Sequence, residues 1–180
     1  MALLRGINVG GNSIISMTDL KACFEAIGLT NVKTYINSGN VVFASATTDQ
    51  RDIEASIEAA LTSKFALNIR VVVYSSRQIE QIMRVAPKNW QDNDSIKRNV
   101  IFLHHSIDSP KILESLKPKP GIEELSYHPG VLFWSAKTSD LTKSNMVKLS
   151  RSPLFKAMTV RGLNTLVAIH KIIGKISVTS

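Results

Sequence analysis

Val32 to Ala44 reads VKTYINSGNVVFA, and it is the stretch that decides the fold. Two short runs rich in β-branched and aromatic residues, Val32–Ile36 and Val41–Ala44, flank Asn37-Ser38-Gly39-Asn40. Gly and Asn tolerate positive φ, so this tetrapeptide predicts a β-hairpin. On its N-terminal side, Met17, Leu20, Phe24 and Ile27 recur at helical spacing, with Ser16 and Asp19 placed as a capping pair and Gly28 placed to end the helix. Before that helix, Leu3–Ile7 predicts a strand followed by a glycine-rich loop. On the other side, Ile53, Ile57 and Leu61 mark a helix opening near Asp49, Ile69–Tyr74 a strand, and Ile79, Ile82, Met83 and Ala86 a further helix.

The same order then returns. After a polar stretch, Pro87–Lys97, the sequence predicts a strand at Asn99–His104 and a short helix at Pro110–Leu116 with proline in its first turn. Strands Ile122–Ser126 and Val131–Ser135 flank His128-Pro129-Gly130. A helix near Leu141–Leu149, a strand at Met158–Val160 and a last helix carrying Leu163, Leu166, Val167, His170 and Ile173 complete the chain. Each half therefore reads β-α-β-β-α-β plus one helix, the order of the ferredoxin-like fold. The expectation is an α+β protein of two ferredoxin-like halves packed as one compact unit. The halves are 1–86 and 98–180, joined by a connector at 87–97, and helices cover one face of each antiparallel sheet.

A chain of 180 residues is long enough to bury roughly 70% of its unfolded surface. No apolar run approaches the ~20 residues that cross a bilayer, and MALLRGINVGG has too short an apolar core for a secretory signal. A lone Cys23, on the apolar stripe of the first helix, fits core packing in a reducing compartment, so a cytoplasmic location is expected. The net charge of +8 is unevenly spread. Residues 1–74 balance six basic against six acidic side chains, and 75–136 sum to +1. Residues 137–180 carry eight basic side chains against Asp140 alone. A basic surface including Lys143, Lys148, Arg151, Lys156 and Arg161 would concentrate anions, nucleic acid or another polyanion first among them.

Gly6–Ser13 nearly matches a phosphate loop but has Asn12 where the lysine belongs, and the helix starts after it. What remains is anion binding by backbone N–H groups around Gly10, Gly11 and Asn12. Arg5, which strand alternation would set on the face of Leu3 and Ile7, offers a guanidinium for a phosphate or carboxylate. Asn8, Asn37, Ser38, Asn40, Arg161, Asn164 and Thr165 could join it if both halves face one groove, making an enzyme or sensor of a small phosphorylated or acidic ligand. An exposed sheet edge or hairpin would instead suit a protein-interaction scaffold. No cofactor or metal is expected: His104 and His105, adjacent in a strand, would point to opposite faces. No nucleophile motif or paired carboxylates assign a catalytic residue. Tyr35, Phe43, Phe133 and Trp134 are the aromatics available for stacking on a sheet.

Leu4–Gly11 (LRGINVGG), Thr34–Phe43 (TYINSGNVVF) and Met158–Thr165 (MTVRGLNT) resemble the bacterial domain-of-unknown-function family 1697 over essentially the whole chain. The resemblance implies a duplicated α+β fold and no established activity. This chain departs from the family pattern at Asn12, where lysine is usual, and at Gly162, where asparagine follows the arginine.

Overall fold

The structure is a computed structural model that describes residues 1–11, 13–87, 90, 95–149 and 152–177. It divides into two units, one of Met1–Ile79 with the segment from Ile169 onward, the other of Glu80–Ala168. Each is built on a four-stranded antiparallel sheet.

The first unit runs β1 (Ala2–Leu4), α1 (Met17–Ala26), β2 (Thr30–Tyr35), β3 (Asn40–Ala44), α2 (Gln50–Phe65), β4 (Val71–Val73) and the start of α3 (Ser76–Val85). Its strand order is β2-β3-β1-β4. Both long helices start as their residues dictate: the Ser16 hydroxyl accepts from Asp19 N at 3.0 Å, and the Asp49 carboxylate accepts from Arg51 N and Asp52 N. Leu20, Cys23 and Phe24 of α1 and Ile53, Ile57 and Leu61 of α2 close on Ala2, Leu4, Val41, Val71 and Val73. Burying a side chain as large as Phe24 contributes about 1.5–3 kcal/mol. The alternate residues Leu3, Val42 and Val72 are buried as well, so the sheet is covered on both faces. This explains the unbroken Val71–Val73 run: a strand wet on one side would alternate.

The second unit repeats the arrangement with β5 (Ile96–Leu103), α4 (Ile112–Leu116), β6 (Glu123–His128), β7 (Val131–Lys137), α5 (Asn145–Leu149), β8 (Met158–Gly162) and the start of α6 (Leu163–Ser177). Its order, β6-β7-β5-β8, matches that of the first sheet. Ile101, Leu103, Leu132, Trp134, Ala136 and Met158 meet Ile112 and Leu116 on the helical face. On the opposite face the half-buried Trp90 stands edge-to-face on Phe133, centroids 5.4 Å apart. The fold is the expected α+β duplication of the β-α-β-β-α-β unit.

Four local expectations need correcting. The first strand ends at Leu4, not Ile7, because Gly6 and Asn8 take left-handed φ of 73° and 54°; Arg5 therefore lies in a bend. The strand expected at Asn99 begins three residues earlier, at Ile96 paired with Lys137. The helix expected over Leu141–Leu149 breaks into a 3-10 turn, Thr138–Lys143, and α5, since Ser144 is extended between them. His104 and His105 lie beyond the end of β5, where strand alternation no longer applies, and their rings sit side by side at 3.9 Å.

Candidate functional site

In the first unit, the glycine loop and the hairpin turn are one construction. Leu4 N donates to Gly39 O at 2.8 Å. Asn8 Nδ2 donates to both Ile15 O and Asn37 O at 2.9 Å, and its Oδ1 accepts from Ile15 N at 2.8 Å. Both amide hydrogens and the carbonyl of Asn8 are thus engaged in closing the loop and fastening it to the turn. Asn40, buried, does the same within the turn, donating to Tyr35 O and Ser38 Oγ. Gly39 combines φ 73° with a position where a Cβ would stand 2.7 Å from Leu4 Cβ. Gly10 and Gly11 are exposed and left-handed; Asn12 lies outside the described residues. Arg5 is half-buried, and its N donates to Arg70 O.

In the second unit, a residue with no sequence signature organises the chemistry. Glu123, at the start of β6, is buried. Its carboxylate accepts from Trp134 Nε1 at 2.8 Å, Asn145 N at 2.9 Å, Lys119 N at 3.1 Å and the Ser144 hydroxyl. Burial, the largest single influence, pushes this carboxyl up, but the donors together outweigh it and hold it below the usual carboxylate range. The Asn145 side chain donates to Lys117 O at 2.8 Å. These bonds set the loop bearing Lys117 and Lys119 against the start of α5, immediately after Lys143. Lys143 Nζ donates to Asp140 Oδ1 at 2.8 Å. That bond, ahead of the charges of Lys143 and Lys137, keeps the Asp140 carboxyl low; Lys137 ends β7 one residue after Ala136, the partner of Glu123 across the strands. Lys117, Lys119, Lys137 and Lys143, all exposed, therefore share one edge of the unit.

Next to that edge, on the sheet face opposite the helices, lies a cavity of about 250 Å³ lined by Trp90, Arg98, Ile96, Ile122, Ser135, Glu124 and Lys137, among others. Cross-strand pairing sets Arg98, Ser135 and Glu124 in one row across β5, β7 and β6. A larger cavity of about 410 Å³ in the first unit is lined by Met1, Val42–Ser45, Ile53, Val73–Ser75 and Ile173, among others. No charged side chain lines it among the described residues.

Of the other expected polyanion-binding residues, Lys156 is exposed and sits at the far end of the second sheet, where Leu103 pairs with Met158. Arg161, opposite Val100 on β8, is half-buried and donates to Val160 O at 2.9 Å; burial lowers its guanidinium to about 10, still charged at neutral pH. Arg151 and the Lys148 side chain lie outside the described parts. Asn164 and Thr165 begin α6 in the second unit, whereas Arg5, Asn8 and Ser38 belong to the first. Charge follows the units less sharply than the sequence: the second has thirteen basic and eight acidic side chains, and Lys171 and Lys175 fall in the first. Among the described residues no helix is long and apolar enough to cross a membrane.

The conserved bacterial protein SP0830 from Streptococcus pneumoniae has a similar solved structure, with TM-score 0.82, 22% identity and coverage of 96% of each chain. That likeness is one of fold. No curated protein matches the chain. The family profile described as "Protein of unknown function (DUF1697)" matches residues 1–133, well over half the length, and the chain belongs to that family.

Proposed function

We propose that the protein is a binding module for a polyanion, acting through the lysine edge of its second unit. One observation carries this reading: Glu123 gathers Lys117, Lys119, Lys137 and Lys143 onto adjoining segments while its own charge is buried under hydrogen-bond donors. The neighbouring Asp140 is paired with Lys143, which leaves three lysines on that edge to meet external anions. Against a small-ligand site in the glycine loop stands Asn8, whose amide is fully engaged within the protein. The test is retention on an immobilised polyanion with the double variant Lys119→Glu, Lys137→Glu. Elution should move to clearly lower salt, while the double variant Lys21→Glu, Lys33→Glu, the same change of charge at two exposed sites in the first unit, should shift it much less. Equal shifts for both would reduce the effect to net charge and end the reading.

A second reading, a protein-interaction scaffold, is favoured by Val9, Ile14 and Ile36, which are 61%, 77% and 51% exposed and lie in the segments that Asn8 ties together. Light scattering that shows a single copy, alone and mixed with cell extract, would count against it.

A further inference from the structure

We infer that the cavity beside Trp90 takes one unpaired nucleobase, so that the polyanion is a single-stranded nucleic acid; this rests on the polyanion reading above. A cavity of about 250 Å³ admits one planar ring and excludes a duplex, whose bases are already stacked and whose unstacking costs a few kcal/mol. The lining suits a flat molecule with apolar faces and a polar edge. Trp90, Ile96 and Ile122 supply the apolar wall. Glu124 accepts, the Ser135 hydroxyl donates or accepts, and Arg98 lines the same wall, polar groups of the kind a base edge uses. Trp90 is held upright on the buried Phe133 by an edge-to-face contact at 85°, which fixes the ring for stacking.

The charge layout agrees. Lys137 lines the cavity and belongs to the lysine edge with Lys117, Lys119 and Lys143. A backbone following that edge would deliver its base to Trp90. A polymer of phosphate or sulfate alone has no part that uses the apolar wall, and Glu124 would repel it there. The site lies on the face of the second sheet opposite the helices, at the Ile96 end of β5, next to the buried Phe133.

The protein carries its own reporter. Of its two tryptophans, Trp134 is 3% exposed and bonded to Glu123, so ligand-dependent fluorescence change arises at Trp90. Short oligomers of thymidine and of uridine, inorganic polyphosphate and a duplex of equal charge would be titrated at one salt concentration. The inference expects both single strands to quench the fluorescence and polyphosphate to leave it unchanged. Trp90→Ala, which lacks the reporter and is followed with wild type by titration calorimetry, should weaken single-strand binding roughly 5- to 150-fold, as loss of one stacked base does, with polyphosphate binding intact. Trp90→Phe should retain most of the affinity, and an unchanged Trp134 near-ultraviolet signal verifies the fold. Equal binding of single strands and polyphosphate, insensitive to Trp90→Ala, overturns the nucleobase site while the polyanion reading stands. A duplex that binds as well with the same Trp90 dependence also overturns it. Binding to none of these polymers removes both.

Discussion

Replacing Glu123 tests how the lysine edge is held. Its carboxylate accepts from two buried donors, Trp134 Nε1 and the Ser144 hydroxyl, and from the backbone N–H groups of Lys119 and Asn145. Leaving a buried donor unsatisfied costs about 1–3 kcal/mol, so Glu123→Ala should destabilise the second unit by about 3–5 kcal/mol. Glu123→Gln keeps the shape but turns an N–H₂ toward donors and should cost about 2 kcal/mol. The pH dependence has a definite sign. Because the folded carboxyl is held below its unfolded value, its contribution is complete above the unfolded pKa of about 4.3 and is lost as pH falls through the lower folded value. Wild type and Glu123→Gln should therefore differ most near neutrality and converge in acid. Urea denaturation followed by tryptophan fluorescence across that range reads both quantities. A Gln variant within about 0.5 kcal/mol of wild type at pH 7, or a difference that persists unchanged into acid, would refute the assignment of Glu123 as the anchor.

Three further predictions concern the first unit. Gly39→Ala combines a left-handed φ, worth about 1–2 kcal/mol, with a 2.7 Å approach to Leu4 Cβ; it should lower the melting temperature by more than 5 °C or prevent folding, at about 2–4 °C per kcal/mol. Asn8→Ala removes three hydrogen bonds from one side chain and should cost about 2–3 kcal/mol by the same melt. Ile36→Asn should instead stabilise by about 1 kcal/mol, since a β-branched residue at φ 47° is strained and half exposed; a lower melting temperature would contradict this.

The sequence made the order of elements readable because its signals were local. Ser16 with Asp19, Asp49 before α2, and Pro129-Gly130 between β6 and β7 each act within a few residues. The misplaced boundaries reflect long-range bonds. Ser144 interrupts what periodicity reads as one helix while its hydroxyl reaches Glu123, 21 residues away. Glu123 itself is one acidic residue beside another, and nothing local separates it from the exposed Glu124. Asn8 and Asn37, read as separate polar candidates for a ligand, proved to be joined to each other. The C-terminal charge run is real in sequence, yet α6 carries Lys171 and Lys175 into the first unit, and the lysine edge recruits Lys117 and Lys119 from outside the run. Trp90 stands alone in a polar stretch with no local signal around it, and its place is set by Phe133, distant in sequence.

The most direct measurement of the binding reading is the salt dependence of affinity for a single-stranded oligonucleotide. Neutralising about three phosphates through Lys117, Lys119 and Lys137 should give log K against log salt a slope of about −2, reduced by about 0.7 for Lys137→Ala. A slope near zero, or one that Lys137→Ala leaves unchanged, would contradict the lysine edge as the binding surface.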